Sequence, residues 1–180
     1  MGRATTDLRN EHNAILFVLK VVDKMIYSEK EQSELLKYYE ELVYFLKIFA
    51  DKCHHGKEEN YLFKELINKG IPNQGGPVGA MLSEHELGRK YIAEMTHSLA
   101  AKDIVGINSA AAAYSKLLRL HIEKENNVLF PIADKVIDER QQEHMFEQFE
   151  QFEETVIGQG VHDKLHAMID TWAEVFGVEW

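Results

Sequence analysis

Two ten-residue stretches of the chain carry histidine and glutamate at one spacing. His54-His55-Gly56-Lys57-Glu58-Glu59-Asn60-Tyr61-Leu62-Phe63 and His121-Ile122-Glu123-Lys124-Glu125-Asn126-Asn127-Val128-Leu129-Phe130 agree at His, Lys, Glu, Asn, Leu and Phe, six positions of ten. In each, a histidine precedes a glutamate by four residues. On a helix both side chains leave the same face, roughly 6 Å apart along the axis. Each copy thus brings an imidazole nitrogen and a carboxylate oxygen to one spot. Two such pairs opposed across a helical bundle would hold a pair of metal ions. A second register, His55 with Glu59, has the same spacing but loses the Lys, Leu and Phe matches. His54 with Glu58 is therefore the favoured pair, and His55 and Glu59 lie beside it as outer partners or an extra ligand.

The elements that must position these residues follow from hydrophobic periodicity. Leu8, His12, Ile15, Leu16 and Leu19 predict a first helix from about Thr6 to Met25. Ser28 and Glu31 have the form of a capping box opening a second. Its stripe runs through Leu35, Leu42, Phe45, Phe49, His54, Glu58 and Leu62 and should stop near Gly70-Ile71-Pro72. Pro77 suits the first turn of a third helix, which carries His85 and fades near Ala100. A fourth starts near Asp103 and carries Tyr114, His121 and Glu125, with Pro131 bending rather than ending it. The expected fold is all-α, an up-down-up-down four-helix bundle over residues 1–138. Residues 139–180 read as a helical extension: Met145, Phe146, Phe149 and Phe152 mark a fifth helix, and Leu165, Met168 and Trp172 a sixth after the Gly158-Gln159-Gly160 turn. This extension could cover the bundle or form a homodimer interface.

His12, His54, His85 and His121 each lie in the apolar stripe of a different helix. One such histidine is most simply a hydrogen-bonded core residue. Four, with Glu58 and Glu125 a turn beyond two of them, would cost several kcal/mol apiece if buried unpaired. A metal removes that cost. A mixed imidazole and carboxylate set suits iron, manganese or zinc, with too few oxygens for calcium or magnesium.

A lone His on the first helix, His-x-x-x-Glu on the second, a lone His on the third and His-x-x-x-Glu on the fourth resembles the hemerythrin-like family of HHE cation-binding domains. The resemblance covers about Asp7 to Asp138. It implies a non-haem di-iron centre with His12, His54, Glu58, His85, His121 and Glu125 as metal ligands. The two iron ions would be bridged by both carboxylates and an oxo or hydroxo group, with zinc or manganese able to replace iron in recombinant protein. Oxygen-carrying relatives have a second histidine one turn from the third-helix ligand. Here Met81 and Arg89 occupy those positions, so the resemblance implies one histidine fewer and an open position. Tyr61 and Tyr114 share faces with His54 and His121 and are weaker candidates to fill it.

Composition narrows the function. A net charge of −10 without a basic cluster disfavours nucleic acid. No apolar run reaches the eighteen or so residues a membrane span needs, and the first residues lack a signal-peptide core, so the expectation is a cytoplasmic protein. The single Cys53 excludes an internal disulfide. His162 and His166 have helical i, i+4 spacing but flank their stripe, which points to a surface role. Two readings remain: a binding module whose centre responds to dioxygen, nitric oxide or peroxide or handles iron, and an enzyme with peroxidase-like, nitric-oxide-reducing or iron-centre-repair activity.

Overall fold

The computed structural model describes residues 1–158 and 160–179, without the side chain of His162. It is all-α. Helix α1 spans Arg3–Ile26, and its buried stripe of Leu8, His12, Ile15, Leu19, Val22 and Met25 follows the helical period. Helix α2 runs continuously over residues 32–68. Helix α3 is Pro77–Ala100, with the proline in its first turn. Helix α4 covers residues 104–136, opened by the Asp103 carboxylate accepting from the Gly106 amide. Helix α5 is Glu139–Val156, closed at its start by a capping box between Asp138 and Gln141. Helix α6 is Val161–Phe176.

Most ends follow local chemistry. Helix α2 stops where Gly70 takes φ +88°, with the Ile71 amide bonded to the Leu66 carbonyl and the Gly70 amide to that of Ile67. This pattern satisfies the last carbonyls of a helix. The start of α2 corrects the expected capping box. Ser28 accepts from the Lys30 amide at 3.3 Å, a turn that precedes the helix, and Glu31 offers no side-chain cap. Gly158 and Gly160 both adopt positive φ between α5 and α6, while Gln159 of the expected turn lies outside the described residues.

Helices α2 and α4 share a departure from α geometry. In α2, Leu46–His55 and Glu58–Leu62 wind as π-helix; in α4, Glu125–Leu129 does the same. Glu58–Leu62 and Glu125–Leu129 are equivalent positions of the ten-residue repeat, so the repeat in sequence is a repeat in backbone form. Single π turns cluster at functional sites in helices. Pro131 follows directly, in the first turn of the α segment Phe130–Val136, and the wider turn before it lets the helix continue.

Two apolar cores are stacked along the bundle. One gathers Ile15 to Met25, Leu35 to Ala50, Ile92, Met95 and Ile107 to Ile122, and α6 adds Leu165, Ile169 and Trp172. The other gathers Ala4, Leu8, Leu62, Phe63, Leu66, Val78, Met81, Leu129 and Phe130, and α5 adds Met145 and Phe149. Both C-terminal helices thus pack on the bundle. Trp172 also donates its indole N–H to Glu41 at 2.9 Å. Along all four bundle helices, the histidines and glutamates singled out above fall between the two cores. Among the described residues, no helix is long and apolar enough to cross a membrane.

Candidate metal centre

His12, His54, His85, His121, Glu58 and Glu125 are each no more than 1% exposed and meet at one level of the bundle. Their donor atoms form two overlapping groups. His12, His54, Glu58 and Glu125 make one, and His55, Glu58, His85 and His121 the other; within each, one donor atom per residue lies within 4.8 Å of the rest. Glu58 joins them directly. Its Oε1 is 3.6 Å from His54 Nε2 and its Oε2 is 3.4 Å from His85 Nε2. Glu125 also stands between them, with Oε2 3.2 Å from both His12 Nε2 and His121 Nε2.

His55, read from the sequence as an outer partner or an extra ligand, faces into the ring. Bonds from i to i+5 widen each turn, so adjacent side chains diverge by less than the roughly 100° of an α-helix. The π segment ending at His55 therefore lets His54 and His55 both face inward, His54 toward His12 and His55 stacked on His85 at 3.8 Å between ring centres. A fifth imidazole is thus present, supplied by α2 rather than by a second position on α3. The two α3 positions considered in the sequence do other things. Met81 is buried in the apolar core, and Arg89 bonds Asp51 and Glu59. Tyr61 turns its ring edge to Phe149 and Phe152 of α5. The Tyr114 hydroxyl is buried with no hydrogen-bond partner.

Every one of the five rings is held from behind through Nδ1. The partners are Asn126 for His12 at 2.9 Å, Glu11 for His54 at 2.8 Å, Asp51 for His55 at 3.4 Å, Glu59 for His85 at 2.7 Å and Glu84 for His121 at 2.9 Å. An oxygen at Nδ1 places a ring proton there and turns Nε2 to the centre, where its lone pair can meet a metal once any Nε2 proton, as on His121, is lost. The wiring is duplicated. Glu11 precedes His12 and holds His54, while Glu84 precedes His85 and holds His121. Glu59 and Asn126, one residue after the two central glutamates, hold His85 and His12. The lysine conserved between the two stretches pairs with the holding carboxylate in each half: Lys57 with Glu11 at 2.8 Å, and Lys124 with Glu84. Sequence reasoning saw the repeated lysine but not its partner. The signal was there, in the acidic residue immediately before both lone histidines.

Electrostatics mark the centre as built for cations. Burial and the adjacent Glu125 carboxylate push Glu58 well above the usual carboxylate range. Burial also opposes a charge on Glu125, but His121 and His12 outweigh it and hold Glu125 well below that range. His121 is raised to about 9, with Glu125 and Glu84 overcoming its burial. Burial and neighbouring imidazoles push His55 down to about 3 and His54 well below its ordinary value. The Nε2 atoms of His12, His54 and His55 and all four carboxylate oxygens of Glu58 and Glu125 are buried without a hydrogen-bond partner. Orphaned groups of this kind are expensive unless a cation takes up their lone pairs, so the residues fit a metal.

No curated protein and no solved structure matches the chain. Residues 3–133 match the family described as the hemerythrin HHE cation binding domain. That match takes in α1 to α3, nearly all of α4 and every residue of the two groups, and leaves out α5 and α6. By this match over most of its length, and by a bundle whose interior converges on cation ligands, the chain belongs to the hemerythrin HHE cation-binding family.

Proposed function

We propose that the chain is a non-haem di-iron protein whose centre binds or reacts with a small diatomic molecule or peroxide, in redox or gas sensing or in iron handling. The observation that carries this reading is the sharing of Glu58 between two donor groups. One ion would take His12 and His54, the other His55, His85 and His121, and Glu58 and Glu125 would span the pair. The donor chemistry, five imidazole nitrogens with two carboxylates, suits iron, manganese or zinc. A bound iron pair supplies two-electron redox chemistry and a site for an exogenous ligand.

The chain's own residues set the conditions. Phe130 stacks on His12 at 5.3 Å and Phe63 on His85 at 5.6 Å, so apolar walls exclude water on either side. Such burial favours a diatomic or peroxide over an organic substrate. With two imidazoles in one group and three in the other, the two positions are unequal. The group of His12 and His54 is the one with fewer imidazoles, and there an added ligand meets least competition.

Anaerobic iron loading followed by elemental analysis should give two irons per chain with magnetic coupling between them. A persistent value of one would overturn the paired reading. Mixing the reduced, loaded protein with oxygen, nitric oxide or peroxide should change its optical and Mössbauer spectra. Indifference to all three would remove the proposed reactivity and leave iron handling.

A further inference from the structure

His54 and His121 are held by the same wiring in unlike surroundings. On the α4 side, Lys124 and Glu84 are open to solvent, their side chains 45% and 22% exposed. On the α2 side, Lys57 is only 2% exposed and sits among three carboxylates: Glu11 at 2.8 Å, Glu153 at 3.0 Å and Asp7 at 3.3 Å. Glu153 belongs to α5, beyond the residues that match the family. Beside it, Phe152 lies against Gly56, where an added Cβ would come within 2.8 Å of the ring. Two consecutive residues of α5 therefore grip two consecutive residues of α2, between His55 and Glu58.

We propose that Glu153 is a positioning residue for the metal position built on His12 and His54, acting through Lys57 and Glu11 on the His54 imidazole. The inference rests on the metal reading given above. A buried ammonium stays where its carboxylates are, because removing one leaves charge poorly compensated. Without Glu153, Lys57 is held by Glu11 and Asp7 alone and moves toward Asp7 and solvent. Glu11 then loses the partner that fixes its Oε1, and its Oε2 no longer holds His54 Nδ1–H in one orientation. Among the described residues the second group has no tie to α5 of this kind, so the effect is one-sided.

The test uses full-length protein and zinc as the probe. Glu153→Gln should weaken one of two zinc-binding steps by a few-fold to about tenfold, the low end for loss of an outer partner. The other step should be unchanged. Glu84→Gln should weaken the opposite step. Nitrogen-detected NMR of the histidine rings in metal-free protein reads positioning directly: in Glu153→Gln the His54 Nδ1–H should exchange faster with solvent while that of His121 does not. Glu153→Asp, which keeps the charge, should restore part of the His54 protection. Equal weakening of both steps, or an unaltered His54 signal, would overturn the proposal. A wild-type chain that bound no zinc would overturn the metal reading instead, with the ring spectra still deciding whether Glu153 positions His54.

Discussion

Glu58 and His55 make different claims on the proposed metal pair, and substitutions should separate them. The two oxygens of Glu58 face the two donor groups, so Glu58→Gln should empty both positions. His55 belongs to one group only, so His55→Ala should bring the metal content of iron-loaded protein from two ions toward one by elemental analysis. Retention of both ions in His55→Ala would return His55 to an outer role. Protons give a second check. Burial and Glu125 push Glu58 up, which favours its protonated form, and His121, raised to about 9, carries a proton near neutral pH. Metal must displace such protons, so affinity should rise with pH, and calorimetry in buffers of different ionisation enthalpy should show net proton release on binding at pH 7. In metal-free protein, the stability from His121 is complete below its unfolded value near 6.5 and is lost as pH rises through about 9. His55, depressed to about 3, acts in the opposite sense: its contribution is present above about 6.5 and is lost as pH falls toward 3. Denaturant midpoints for apoprotein should therefore decline on both sides of neutrality.

Helix geometry explains what the sequence disclosed and what it withheld. The His54/His121 register was legible because two stretches agreed on six positions, and the four-helix order because each stripe kept an α-helical period. For His55 the choice between outer partner and extra ligand was not legible, since an α-helix turns it away from His54 and nothing in Leu46–His55 announces a π turn. The holding carboxylates were only partly legible. Glu11 and Glu84 each precede a lone histidine, but which ring they and Asp51 meet is set by tertiary packing. A glycine inside a helix fits a close approach to a neighbour, and at Gly56 that neighbour is Phe152. Gly56→Ala should thus lose about 1–3 kcal/mol by overpacking, against the roughly 1 kcal/mol that alanine gains in a helix. Gly88 offers the control. A Cβ there would sit 3.6 Å from Tyr114, an ordinary contact, so Gly88→Ala should be neutral or stabilising by up to about 1 kcal/mol. Urea titration of the metal-free forms compares the two, and equal losses would contradict the assignment.

On the scale of the whole chain, α6 closes the core remote from α5 and Trp172 is its anchor. The ring is wholly buried, meets Phe45 edge-on at 5.7 Å and reaches Glu41 with its N–H. Trp172→Ala should lower stability by about 3–5 kcal/mol, read from thermal or denaturant unfolding, with two ions still bound per folded chain. Loss of metal at unchanged stability would instead connect α6 to the centre. The placing of the centre between two packed cores has a further consequence, and it concerns time. The seven candidate donors buried midway along the bundle are sealed by apolar layers above and below, so ions held there would not leave while the helices stay shut. Departure waits on a breathing motion of the bundle. Removal of metal by a chelator should then reach a ceiling, with a half-life that no longer shortens as chelator is added. That ceiling should match the rate at which backbone amides of Glu125–Leu129 open to deuterium, making the folded shell a clock for the ions inside it.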